Sequence, residues 1–182
     1  MNSPRSGRVL LRHPTARDRD EHLDLNRRSI RFHRGLAHPP TTPKQFDAYL
    51  ARCGSPDFYG FLICRADDGA IVGSINVSEI VRGNFRSAYL GYQIAAPFAG
   101  RGYMTEALQL ALRFAFRELG LHRVEANVQP GNAASIALVR RAGFTLEGFS
   151  RRYIKIGGRW RDHERWALLR EDWRPLTNSS NC

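Results

Sequence analysis

At 182 residues with 42% hydrophobic content, the chain is long enough to bury one sizeable core and short enough to form a single domain. Lys and Arg number 28 against 17 Asp and Glu, and the formal charge of +11 favours anionic partners such as nucleic acid, phosphate esters or acidic surfaces. Cys53, Cys64 and Cys182 are odd in number and lack ligand spacing, which argues against a disulfide framework and a zinc site; with no apolar run of signal-peptide or membrane-spanning length, a cytoplasmic, metal-free protein is expected.

Taken in chain order, RVLLR (Arg8 to Arg12) predicts a first strand, and Thr15 with Asp18 three residues later predicts the start of a helix running to about Gly35. Thr42 as cap and Pro43 at the first helical position start a second helix that reaches about Cys53. Three strand-like runs follow, Phe58 to Arg65, Ala70 to Val81 and Ser87 to Ile94, separated by turns short enough for antiparallel hairpins. Leu108, Ala111, Leu112, Ala115, Phe116 and Leu119 then recur at helical spacing up to Gly120. His122 to Val128 reads as a strand, and Asn132 caps a helix from Ala133 to Ala142 that ends at Gly143. FTLEG and RRYIKI lead through Gly157 and Gly158 into RWRDHERWALL as a closing hairpin. Residues 1–174 are expected to form the domain and 175–182 a disordered tail. The order gives an α+β fold with a mixed sheet and helices on its faces.

Where FAGRGYMTEAL passes from loop to helix, Gly100 and Gly102 flank Arg101, so backbone amides can approach a ligand without a Cβ in the way. Unpaired N–H groups and the positive end of the helix dipole make this an anion cradle suited to phosphate or pyrophosphate, although GRG alone is equally a plain turn into a helix. Neither the GxxxxGK[ST] of a P-loop nor a GxGxxG after a first parallel strand is present.

The stretches VRGNFRSAYLGYQIAAPFAGRG, YMTEAL, HRVEANVQPGNAASIALVRRAGFTLEG and GGRWRDH together resemble the GNAT acetyltransferase superfamily. More narrowly they resemble its RimJ/RimL branch of ribosomal-protein N-terminal alanine acetyltransferases. The resemblance implies a mostly antiparallel GNAT sheet whose central parallel strands, Ser87 to Ile94 and His122 to Val128, splay around acetyl-coenzyme A. It implies that Ile94, Ala95 and Ala96 pair with the pantetheine arm, and that Gly100, Arg101, Gly102, Tyr103, Met104 and Thr105 hold the pyrophosphate. It further implies that Asn132 touches the arm and that Ser135 protonates the departing thiolate. The family's loop motif is Gln or Arg, two residues, Gly, one residue, Gly or Ala. The chain departs from it at both ends, with Ala99 and Met104, and keeps Gly102.

Acetyl transfer needs a positioned thioester, a neutral amine, an oxyanion donor and an acid for the thiolate. Backbone N–H groups at Ile94 to Ala96 are the expected oxyanion donors, and Glu125 and Glu79 are the candidate bases, each equally a solvated strand residue. Asp162 and His163 are assigned to a structural role on the closing hairpin. The resemblance implies an acceptor that is the N-terminal amine of a ribosomal protein, and the basic run Arg27 to Pro40 is a candidate for ribosomal RNA contact or equally a solvated basic face. A polyamine or antibiotic amine is the alternative within the same chemistry, and a non-catalytic RNA-binding module the alternative outside it.

Overall fold

A computed structural model describes residues 5–175. Eight strands form one sheet: β1 (Arg5–Ser6), β2 (Val9–Arg12), β3 (Tyr59–Arg65), β4 (Ile71–Val81), β5 (Ser87–Ile94), β6 (Arg123–Val128), β7 (Thr145–Ile156) and β8 (Arg159–Leu169). Four helices accompany them: α1 (Arg19–Arg28), α2 (Pro43–Arg52), α3 (Tyr103–Arg113) and α4 (Ala133–Arg141). The strand order is β1-β2-β3-β4-β5-β6-β8-β7, and every neighbouring pair is antiparallel except β5 with β6. The α+β architecture expected from the element order is the one observed. Of the expected tail, residues 176–182 lie outside the described residues.

The main core fills the space between the sheet and α3 with α4. Val9, Phe61, Ile75, Val77 and Val124 from strands meet Leu108, Leu112, Phe116 and Leu138, all nearly inaccessible to solvent. A smaller cluster of Leu62, Cys64 and Ile71 packs with Leu25 of α1 on the other face. Alternation along the strands therefore divides the sheet between two helix layers.

Two boundaries differ from the sequence expectation. The first helix begins with a 3₁₀ turn at Ala16–Asp18, where Asp18 Oδ2 accepts from Thr15 N at 2.7 Å and from Thr15 Oγ1 at 2.9 Å, and Arg12 closes over the same carboxylate. It then stops at Arg28 instead of reaching Gly35. Ser29 is completely buried, donates its hydroxyl to Leu25 O at 2.9 Å, and its Oγ accepts from Ala96 N at 3.1 Å. This contact with a residue 67 positions away fixes the turn, and Gly35, at φ +78°, completes the exit. The helix after the glycine loop is regular to Arg113 and then widens into a π-helical turn over Phe114–Glu118 before Gly120, at φ +64°.

His22 on α1 is 2% exposed, lies between the rings of Phe46 and Tyr49, and neither ring nitrogen has a hydrogen-bond partner. Burial outweighs the opposing charge of Asp18 and holds its pKa down to about 4. The imidazole is therefore neutral when folded, and the unfolded chain takes up the proton first as pH falls. Its stabilising contribution is complete above the ordinary value of about 6.5 and is lost between there and about 4, an effect of about 3 kcal/mol. Denaturant melts at pH 7 and pH 4.5 are expected to show this loss in the wild type and a smaller one in His22→Phe; equal losses would remove His22 as the cause.

Candidate functional site

β5 and β6 pair in parallel only at Ser87↔Arg123, Ala88↔Val124 and Tyr89↔Glu125. Beyond those three registers the strands diverge, leaving a wedge in the middle of the sheet. In the antiparallel ladder with β4, Ala95 N donates to Val72 O at 2.9 Å, so alternate residues of β5 turn their backbone groups the other way. Leu90, Tyr92 and Ile94 thus present N–H and C=O toward the wedge. A cavity of about 620 Å³ occupies it, extending from the glycine loop past Tyr92 and Ser135 to His33 and His163.

The glycine loop forms one end of this cavity. Gly100 and Gly102 have φ of +73° and +83°, left-handed conformations that side chains resist, and Gly102 caps α3 with no side-chain contribution. Among the described residues, the N–H groups of Gly100, Arg101, Gly102, Tyr103 and Met104 have no hydrogen-bond partner; the helix ladder starts only with Thr105 N and Glu106 N on Gly102 O. Five unpaired donors at a helix start fit a pyrophosphate well. Gly100, Gly102, Met104 and Thr105 line the cavity, as does Ala99; Arg101 is exposed and outside the lining, and Tyr103 packs on Phe98 beneath the guanidinium of Arg8. Arg8 is a component that sequence reading missed: held by Glu106 at 2.6 Å, its Nη2 lies 2.9 Å from where a Cβ on Gly102 would stand.

Of the expected oxyanion donors, two are already engaged. Ala95 N is spent on Val72 O and Ala96 N on Ser29 Oγ, which leaves Ile94 as the amide of the three that faces the wedge. At the start of α4, Asn132 Oδ1 accepts from Ser135 N at 3.2 Å, and both residues line the cavity. Ser135 Oγ is 2.5 Å from the hydroxyl of Tyr92, a phenol that burial pushes up to about 12, so it keeps its proton at neutral pH. Tyr92 was not singled out in the sequence because its partner is 43 residues away.

Neither carboxylate expected as a base reaches the cavity. Glu79, at φ +51°, is exposed and paired with Arg52 at 2.5 Å; Glu125 is paired with Arg123 at 3.1 Å and sits opposite Tyr89 at the last parallel register, before the strands part. The Glu79 pair spans 27 positions and the Glu125 pair only two, and both carboxylates are engaged outside the cavity lining. Instead, two histidines line the cavity. His33 is 7% exposed, its pKa lowered by burial against a hydrogen bond to the Ile94 backbone. His163 is 2% exposed and likewise lowered by burial. Its Nδ1 lies 3.0 Å from Arg161 O, and since a carbonyl only accepts, Nδ1 carries the proton and Nε2 keeps a lone pair. The register out from the Gly157–Gly158 turn pairs Ile154 with Arg161 and Ile156 with Arg159, placing His163 on the cavity side with Ile154 and Ile156. That register was the signal available in the sequence.

Among the described residues no Asp or Glu lines the cavity, no cluster of His, Cys, Asp and Glu is placed to hold a metal ion, and no helix is long and apolar enough to cross a membrane.

Comparison with known proteins agrees with this architecture. Residues 8–145 match the family described as "Acetyltransferase (GNAT) domain". The probable N-acetyltransferase YjcK of Bacillus subtilis (strain 168) is 39% identical over 71% of this chain and 71% of its own length. The [ribosomal protein uS5]-alanine N-acetyltransferase of Escherichia coli (strain K12) is 42% identical over 67% of this chain, and the match spans 62% of that protein. The structure of Mycobacterium smegmatis RimJ in complex with CoA-disulfide superposes with a TM-score of 0.81 at 29% identity, covering 90% of this chain and 82% of that one. A wedge in a mixed sheet, closed at one end by unpaired helix-start amides, together with a family match over most of the chain, leads to one conclusion: the chain belongs to the GNAT acetyltransferases, whose acetyl donor is acetyl-coenzyme A.

Proposed function

We propose that the protein acetylates the N-terminal amino group of a ribosomal protein, an alanine amine as in the 42% identical relative of that name. The observation that carries the choice of acceptor is the absence of Asp and Glu from the cavity lining among the described residues. A polyamine would bring several positive charges into a wedge with no counter-charge, at a desolvation cost of several kcal/mol per ion. An N-terminal peptide brings one titratable amine of pKa near 8, which gives it up as it enters. Arg31 and Arg34, in a stretch free of acids between Asp24 and Asp47, flank the cavity beside Phe32 and His33 and suit an approach to a ribosome-bound acceptor through RNA phosphates.

Acetyl-coenzyme A supplies an activated thioester. Gly100, Gly102, Tyr103 and Met104 offer backbone N–H groups to its pyrophosphate, with Arg101 at the loop and Thr105 behind. Ile94 and Asn132 face its arm. The Nε2 of His163 takes the proton of the acceptor amine, and the Ile94 N–H faces the oxygen where charge develops. The Ser135 hydroxyl gives a proton to the leaving sulfur and takes one from the Tyr92 hydroxyl; the Tyr92 phenolate and the His163 imidazolium then return to neutral through solvent as the products leave.

If Tyr92 and Ser135 act as one relay, Ser135→Ala and Tyr92→Phe each lower kcat by about 10²-fold, with acetyl-coenzyme A affinity kept. The double variant is then no worse than the single ones, because removing either member breaks the same relay. Multiplying losses in the double variant would show two independent contributions. The reading of the acceptor is tested by acetyl transfer to N-terminal peptides of ribosomal proteins beside polyamines and aminoglycosides. Turnover confined to the polyamines or aminoglycosides would overturn it.

A further inference from the structure

A second cavity, of about 430 Å³, lies under α1 and α2 and shares Gly91, Tyr92 and Gln93 with the first. Its floor follows from strand register. Ser74 on β4 is opposite Gln93 on β5, and Asn76 is opposite Gly91, so four successive partners present one face toward the helices. Three of those positions carry uncharged hydrogen-bonding side chains, and the fourth carries none. A Cβ built on Gly91 meets nothing within 4 Å, so the gap above the floor is open space. The roof holds His22, whose two ring nitrogens are buried and unpartnered, and Tyr49, whose hydroxyl donates to Asn76 Oδ1 at 3.0 Å. No Asp or Glu lines this cavity among the described residues, and Arg52 at its edge is neutralised by Glu79.

A lining that can donate and accept without net charge matches a group that also does both without charge. We propose that this cavity binds the first peptide unit of the acceptor, pairing its C=O and N–H with the Asn76, Ser74 and Gln93 side chains while the amine reaches past Gly91 and Tyr92 into the wedge. The inference rests on the proposed acetyl transfer to an N-terminal amine and names what that amine must be attached to. Simple amines without a peptide group then leave buried polar groups unpaired, which discriminates strongly against them.

The test compares an alanine-first tripeptide amide with isopropylamine, in the wild type and in Gly91→Val and Asn76→Leu. Gly91→Val fills empty space, so it occupies the cavity without displacing neighbours at its Cβ. The wild type is expected to favour the peptide by about 10²-fold or more in kcat/KM. Gly91→Val should raise the peptide KM by about tenfold, and Asn76→Leu, at a position that lines the second cavity and not the first, should act in the same direction with acetyl-coenzyme A affinity unchanged. Equal use of isopropylamine, or an unchanged peptide KM in both variants, would overturn the proposal. Calorimetry with an N-acetylated tripeptide reads the cavity apart from turnover. Binding lost in Gly91→Val supports the proposal even where no acceptor is acetylated, an outcome that sinks only the proposed function. Equal binding by wild type and Gly91→Val overturns it.

Discussion

Gly102→Asp is expected to weaken acetyl-coenzyme A binding by about 10²-fold, the equivalent of losing charge-assisted hydrogen bonds and adding a like charge beside the pyrophosphate. Gly102 has φ +83° and stands in the middle of five unpaired amides, so any Cβ there strains the backbone that aims them. The nearest atom to such a Cβ is Arg8 Nη2, the end of a flexible side chain, so the loop can yield without unfolding the domain. Arg8 is already shared with Glu106 through bonds of 2.9 and 2.6 Å, so it offsets the new carboxylate only in part. Gly102→Ala separates the two contributions, since it keeps the strain and omits the charge. Calorimetry with acetyl-coenzyme A decides the matter: a folded Gly102→Asp protein with wild-type affinity would place the pyrophosphate elsewhere.

A comparable loss is expected in kcat/KM for His163→Gln, about 10² to 10³-fold, the range for removing a positioned base. Gln keeps the size and can still donate to Arg161 O, so the effect isolates the Nε2 lone pair. The sign of the pH dependence follows from burial. The folded pKa of His163 is below the ordinary imidazole value, the neutral form is the active one, and activity falls as pH drops through that lowered value. The wild-type profile should therefore carry two limbs, one belonging to the acceptor amine near pH 8 and one lower, and His163→Gln should lose the lower limb only. His33→Gln is the comparison, since that ring is hydrogen-bonded to the Ile94 backbone. A His163→Gln enzyme with wild-type rate and profile would return the base to solvent.

Local physics made much of the fold legible. The Thr42–Pro43 start, the short turns of the meander, the heptad-like apolar spacing after Gly102 and the Gly157–Gly158 turn each act within a few residues, and the elements they bound are present nearly as expected. The end of α1 was not legible because Ser29 is fixed by Ala96, far along the chain. The site divides the same way. The glycine loop and Asn132 cap could be found from neighbouring residues. The fate of Glu79 and Glu125 depended on Arg52 and Arg123, of which only the latter is close in sequence. Tyr92 needed Ser135 to acquire meaning, and His163 needed the hairpin register to show which way it faces.

The three-register seam between β5 and β6 has a consequence for the life of the molecule as well as for its chemistry. It joins a five-strand half carrying α1 to α3 with a three-strand half carrying α4, and the wedge leaves backbone groups that only the folded chain offers to a ligand. Whatever fills that wedge belongs thermodynamically to the folded state, adding about 2.7 kcal/mol when present at a hundred times its dissociation constant. The protein is therefore expected to melt at a higher temperature with acetyl-coenzyme A present than without it.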